Sequence, residues 1–139
     1  VKRYQKHPVY NYLFYGLEDK NNNILCVFVI RKQNYLDSSC LRIIDIFGDI
    51  DNVGSLKKQF ENLLSIENAE YIDLLNYGIS EKIFKKLDFS KLDFSSDDII
   101  IPNFFHPFIQ RNIKIEFSYK SKYEDFTIFR GDGDQDRPS

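Results

Sequence analysis

At 139 residues the chain is one domain of ordinary size, long enough to bury a core of its own. Its formal net charge of −2 argues against a broad nucleic-acid or anionic-membrane surface. No apolar run approaches the roughly 18 to 20 residues that a membrane helix needs, and the start VKRYQKHPVY is unlike a signal peptide.

The first ten residues read as a lead-in to a strand, with Pro8 forcing His7 to be extended. Val9 to Leu17 is aromatic and β-prone, EDKNNN is a polar turn, and ILCVFVIR (24–31) is a nearly continuous apolar strand. Together they predict an antiparallel hairpin, with the second strand buried on both faces at the centre of a sheet. A loop over Lys32–Cys40 then leads to a strand over Leu41–Phe47. Strict alternation puts Asp45 on the same face as Leu41, Ile43 and Phe47. A carboxylate there is costly unless it is hydrogen-bonded, so Asp45 is either a satisfied, partly exposed side chain or a polar group facing a cleft.

GDIDN (48–52) turns the chain into a helix that Asp51 or Asn52 would cap. Val53, Leu56, Phe60, Leu63 and Leu64 form its apolar face. Tyr71–Leu75 is the next strand, which makes a parallel strand–helix–strand unit. Ser80 caps a second helix, with Ile83, Phe84 and Leu87 facing the core. Later strands are expected at Ile99–Ile101, Ile113–Tyr119 and Phe126–Phe129, and Pro102 and Pro107 bracket an aromatic loop, NFFH. The fold class is mixed α+β or α/β. A mostly antiparallel twisted sheet holds a central parallel strand pair and carries helices on its faces. Residues 1–139 form a single domain, with 130–139 as a polar tail.

Chemistry-bearing groups are sparse. Cys26 and Cys40 read as buried small residues, since there is neither a CxxC nor a His at ligand spacing, and a cytoplasmic location is the expectation. His106, in the aromatic loop, is the better of the two histidines for acid/base work, the alternative being a structural or surface role. Asp132, Asp134 and Asp136 alternate as at the start of a calcium loop, but Arg137 stands where that loop needs glycine and the sequence stops at Ser139, before the loop's twelfth position. A solvated tail, packing against Arg137 and a ligand site shared with other residues stay open, and no metal site is assigned. There is no GxSxG, P-loop or GxGxxG. With Val1 first and no Met anywhere, the sequence reads as part of a longer chain or as one whose initiator or tag was removed.

The order hairpin, strand, helix, strand, helix, final strands resembles the later two-thirds of the GNAT acyltransferase fold. IFKKLDF resembles that superfamily's fourth-helix ending. HPVYNY, LRIIDIFGD, AEYIDLLNYGI, IIPNFFHPF and GDGDQDRP resemble the C-terminal half of GNAT-like proteins of bacterial surface-polysaccharide gene clusters. The resemblance implies acyl-CoA, or acetyl-CoA, lying where two parallel strands splay apart, its pyrophosphate on the following helix N-terminus. Phe47 and Gly48 would border the acyl chain and Asn76 would face the cofactor. A water, His106 or an Asp, Asp45 being the candidate, would serve as the base that deprotonates an amine. The resemblance also implies an upstream portion of the fold; as partners, an upstream domain or a homo-oligomer is expected beside the small-molecule substrate or sugar nucleotide.

Three residue patterns depart from the superfamily. The turn after the first of the two strands reads GDIDNVGS, whose Asp49 and Asp51 would repel a pyrophosphate. Phe84 stands at or near the position of a proton-donating tyrosine, and Asp88 replaces the glycine of the helix-end turn. Two functions follow. One is an N-acyltransferase acting on an amino sugar or sugar nucleotide in surface-polysaccharide biosynthesis. The other is a non-catalytic GNAT-like module that binds a sugar nucleotide, a glycan or a partner domain.

Overall fold

The computed structural model describes residues 2–51 and 53–133. Its elements are α1 (Lys2–Gln5), β1 (Leu13–Glu18), β2 (Ile24–Tyr35), β3 (Ser38–Gly48), α2 (Lys57–Glu67), β4 (Ile72–Leu74), β5 (Asn76–Tyr77), α3 (Glu81–Leu87), β6 (Ile128–Phe129) and a 3₁₀ turn at Arg130–Asp132. A four-stranded sheet runs in the order β1-β2-β3-β4, and β5 and β6 form a separate antiparallel pair. β1, β2 and β3 are antiparallel, whereas β3 and β4 are parallel and lie at one side of the sheet rather than at its centre.

The long β2–β3 hairpin is the spine. Phe28, Val29, Ile30 and Arg31 are buried in succession, as expected of a strand covered on both faces. The expected loop over Lys32–Cys40 is instead the tip of this hairpin: pairing continues to Tyr35↔Ser38, and Leu36 turns the chain at φ 52°. Polar side chains at 32–34 and 37–39 hide the strand signal, because near the tip the sheet is exposed.

One sheet face carries α2 and α3. Leu56, Leu63, Ile83 and Leu87 are buried against Cys26, Phe28, Ile30, Leu41, Ile43 and Ile46 in one apolar cluster. Burial of a side chain of this size contributes about 1.5–3 kcal/mol, so this interface dominates the stability of the domain. α3 starts as expected: the Ser80 hydroxyl accepts from the Lys82 amide at 3.3 Å, and Glu81 lies in the first turn. α2 does not. It begins at Lys57, four residues after Val53, behind Leu56, which has no capping side chain. Val53 and Leu56 are buried, but in the lead-in rather than on the helix. Asp51 accepts no bond from the first turn; its amide donates to Asp49 Oδ1 at 2.9 Å in a local turn. Asn52 lies outside the described residues.

The opposite face carries α1, the 102–108 loop and the 3₁₀ turn. The N-terminal lead-in is thus a short helix, with Tyr4 buried against Val29 and Ile44. Beyond α3 the sequence expectations fail in part. Ile99–Ile101 and Ile113–Tyr119 form no strand, and Phe126–Phe129 is reduced to Ile128–Phe129. The bracketed NFFH segment is the shaped loop expected, with a cis His106–Pro107 bond and an isolated bridge between Phe105 and Phe108. Cys26 and Cys40 are both buried and unbridged. No helix among the described residues is long and apolar enough to cross a membrane.

Candidate functional site at the end of β3

β3 and β4 stay together for only three pairs: Leu41↔Ile72, Arg42↔Asp73 and Ile43↔Leu74. Beyond them the strands part. The chain after β4 pairs as β5 with β6, Asn76 facing Phe129 and Tyr77 facing Ile128. Phe129 turns into the main core, and the 3₁₀ turn settles against β3. Gly131 is held so close that a Cβ there would collide with the Tyr4 hydroxyl and come within 3.1 Å of Ile44.

Beside the end of β3, past the last β3–β4 pair, lies an open cavity of about 380 Å³ walled by α1, β3 and the segment of β6 and the 3₁₀ turn, and lined by Arg3, Asp45, Phe47, Thr127, Phe129 and Asp132 among others. Asp45 reaches it through a change of strand phase. Val29 pairs with Asp45 but Ile30 pairs with Ile43, so Ile44 is an extra residue, a β-bulge. The bulge overturns the strict alternation expected for this strand. Leu41, Ile43 and Ile46 face the helices, while Ile44 packs on Tyr4 and Asp45 reaches the phenol of the same Tyr4.

The carboxylate of Asp45 is well satisfied. Its Oδ2 accepts from the Tyr4 hydroxyl at 2.7 Å and from Arg3 Nη2 at 3.2 Å, and its Oδ1 accepts from the Ile46 amide at 2.9 Å. Arg3 donates to the Tyr4 oxygen as well, and its Nη2 lies 3.7 Å from Asp132 Oδ1. Burial, and then the neighbouring Asp45 carboxylate, hold the Tyr4 phenol well above its ordinary value, so it stays protonated. Asp132 caps the local turn, its Oδ2 accepting from the Phe129 amide at 2.9 Å. Asp134 and Asp136, the other acids of the alternating tail, lie outside the described residues.

The predicted site residues divide. Asp45 and Phe47 line the cavity. Gly48 closes β3 at φ 105°, turned against Leu25 and Cys26. Asn76 is half-buried on β5 opposite Phe129. His106 is exposed and elsewhere. Phe105 lies under the Arg42 guanidinium at 4.7 Å, and Phe108 stacks on Tyr35 at 3.8 Å. The turn carrying His106 therefore runs from the middle of β3 towards the hairpin tip, away from the cavity, and the two expected acid/base residues do not meet.

The expected pyrophosphate position is also engaged. The Leu56 amide donates to the Lys86 carbonyl at 3.2 Å, Lys86 Nζ donates to the Asp51 carbonyl at 3.0 Å, and Lys57 pairs with Asp88 at 3.3 Å. The start of α2 thus abuts the end of α3, which suits opposing helix dipoles but leaves less room for an anion. No protein-family model, curated protein or solved structure matches this chain.

A second polar cluster has no motif in the sequence. Arg42 and Arg130, both buried, approach Asp73 Oδ2 at 3.1 and 3.6 Å. Arg42 donates to the Asn103 carbonyl at 2.8 Å and to the Pro102 carbonyl, and Arg130 donates to Asn103 Oδ1 at 2.6 Å. These bonds fasten the 102–108 loop and the 3₁₀ turn to the sheet. Arg42 in the run LRIIDIF is the signal that could have shown it, a second charge in an otherwise apolar strand.

Proposed function

We propose that the chain is a GNAT-like module that binds, without catalysing transfer, the hydroxyl- and amine-bearing part of an amino sugar at the end of β3. The cavity beside Asp45 carries this reading, because it sets polar groups two residues past the last pair of a parallel strand pair that then parts. In the superfamily that the sequence resembles, a ligand lies at such a parting. The charges choose among ligands. One guanidinium, Arg3, stands with two carboxylates, Asp45 and Asp132, so the rim is net negative. That balance favours a neutral or cationic sugar over a pyrophosphate.

Acyl transfer from acyl-CoA in surface-polysaccharide biosynthesis is the second reading, favoured by the same strand geometry. Against it stand the α3 carbonyl at the start of α2, and a Tyr4 proton already donated to Asp45. Backbone amide NMR separates the two. Glucosamine is expected to move the resonances of Arg3, Asp45, Thr127 and Asp132, and acetyl-CoA to leave 49–58 unmoved. Unmoved cavity resonances with glucosamine and with a uridine-diphosphate amino sugar would sink the binding reading. Movement at 49–58 with acetyl-CoA, with an acetylated sugar in the mass spectrum, would establish the second.

A further inference from the structure

The segment 113–119 has the sequence of an amphipathic strand and the environment of an unfinished one. Ile113, Ile115, Phe117 and Tyr119 alternate with Lys114, Glu116 and Ser118. Yet among the described residues the backbone of 112–122 hydrogen-bonds to no other backbone group. Phe117 and Tyr119 remain 48% and 54% exposed although their rings gather around Tyr77 at 5.4 and 5.5 Å. A groove of about 630 Å³ runs along 114–119 and Tyr77. A run of alternating side chains whose backbone N–H and C=O groups meet no other backbone, with exposed aromatics on one side, is a template for another strand.

From the charge pattern we infer that the occupant is the same segment of a second copy, paired antiparallel about Ile115. Pairing about Ile115 places Lys114 opposite Glu116 of the second copy, and Glu116 opposite its Lys114. It also sets Ile113 against Phe117 and Ile115 against itself. Neighbouring registers do worse: pairing about Lys114 opposes the two lysines, pairing about Glu116 opposes the two glutamates, and pairing about Phe117 opposes Lys114 to Lys120. Shifting by a single residue between these registers would set apolar against polar side chains. In the isolated chain Lys114 and Glu116 face the same way and satisfy one another at 3.2 Å, so pairing only exchanges partners. The surface is therefore a self-complementary strand edge, and the partner it fits is a second copy of this chain.

Charge reversal tests the register itself. Lys114 and Glu116 have side chains 72% and 78% exposed, so neither Lys114→Glu nor Glu116→Lys disturbs the core. Sedimentation velocity at high micromolar concentration is expected to show wild-type dimers. Each single variant should dimerise roughly tenfold or more weakly, since two symmetry-related attractions become repulsions. Mixed in equal amounts, the two variants should dimerise again, because one strand then carries two carboxylates and the other two ammoniums. A monomeric wild type would overturn the proposal, whatever other protein captured the edge. So would single variants that dimerise like wild type, or a mixture that stays monomeric while circular dichroism shows both variants folded.

Discussion

The Tyr4 hydroxyl donates to Asp45 Oδ2 at 2.7 Å, joining the first helix to the third strand across forty-one positions of sequence. This bond, rather than any apolar contact alone, fixes α1 over the bulge in β3. Hydrogen bonds to charged groups contribute about 1.5–3 kcal/mol. Tyr4→Phe keeps the ring against Val29 and Ile44 and removes this bond together with the one the Tyr4 oxygen accepts from Arg3, so it should destabilise the domain by at least that amount. Urea unfolding measures it. Faster amide exchange confined to residues 2–5 is expected to accompany the loss.

Asp73 is the sharper test of what holds the other face. Its carboxylate is approached by both Arg42 and Arg130, all three side chains being buried. Removing one member of a buried ion pair costs about 3–5 kcal/mol, because the charge left behind stays desolvated. Asp73→Asn leaves two guanidinium groups without this carboxylate, whereas Arg42→Met removes one cation and leaves Arg130 beside the acid. Asp73→Asn should therefore be the more destabilising substitution, reversing the order expected from the number of hydrogen bonds lost. Chemical denaturation of the two variants decides it.

His106 marks the boundary of what pattern-reading could reach. The aromatic loop was legible from its two prolines, but not that it would be fastened to Arg42 and Tyr35 on the hairpin. Asp45 was legible as anomalous, yet its face depended on one extra residue, Ile44, and a bulge leaves no mark in an alternating run. Tyr4 and Arg3 carried no signal, because nothing in VKRYQ shows which strand a four-residue helix will cover. The two helices were legible because their apolar residues, Phe60, Leu63 and Leu64 on α2 and Ile83 and Leu87 on α3, recur at helical spacing, and the parallel pair followed from the strand–helix–strand order. The segment 113–119 has strand alternation without the burial, so the pattern predicts a ladder that the isolated chain does not make.

Since His106 lies away from the cavity, His106→Ala should leave glucosamine binding unchanged within about twofold. Asp45→Asn removes a carboxylate from the net-negative rim and should weaken binding of the cationic sugar roughly tenfold, the worth of about 1.4 kcal/mol. Calorimetric titration of the two variants in parallel separates the cavity from the loop.

Stability should fall on the alkaline side. Burial first, and then Asp45, raise the Tyr4 phenol above its ordinary value near 10; burial first, and then Cys40, raise that of Tyr71. A raised acid keeps its proton in the folded state after the unfolded chain has lost it. The stability it contributes is thus fully present below about pH 10 and declines as pH rises further. Urea midpoints measured from pH 8 to 11 should drop above pH 10, and the drop should be smaller in Tyr71→Phe. An identical alkaline slope in that variant would assign the loss to other groups.

Gly48 tests whether the end of β3 is built for the cavity or merely ends there. Its φ of 105° lies where side chains are strained, and a Cβ would strike the Leu25 carbonyl and come within 2.9 Å of Cys26 Cα. The backbone at Leu25 cannot yield freely, because its carbonyl accepts the Asp49 amide at 2.9 Å. Gly48→Ala should cost about 1–3 kcal/mol from conformation alone, before any clash. Gly16→Ala on exposed β1, where a Cβ meets nothing within 4 Å, is the control and should change stability by no more than about 0.5 kcal/mol. Because Phe47 precedes Gly48 and lines the cavity, relief of the clash must move a cavity wall. Glucosamine binding should therefore weaken in Gly48→Ala even at temperatures where the variant is fully folded. Unchanged affinity there would mean that the end of β3 is a fold element only, and that the cavity takes its shape from Arg3 and the 3₁₀ turn.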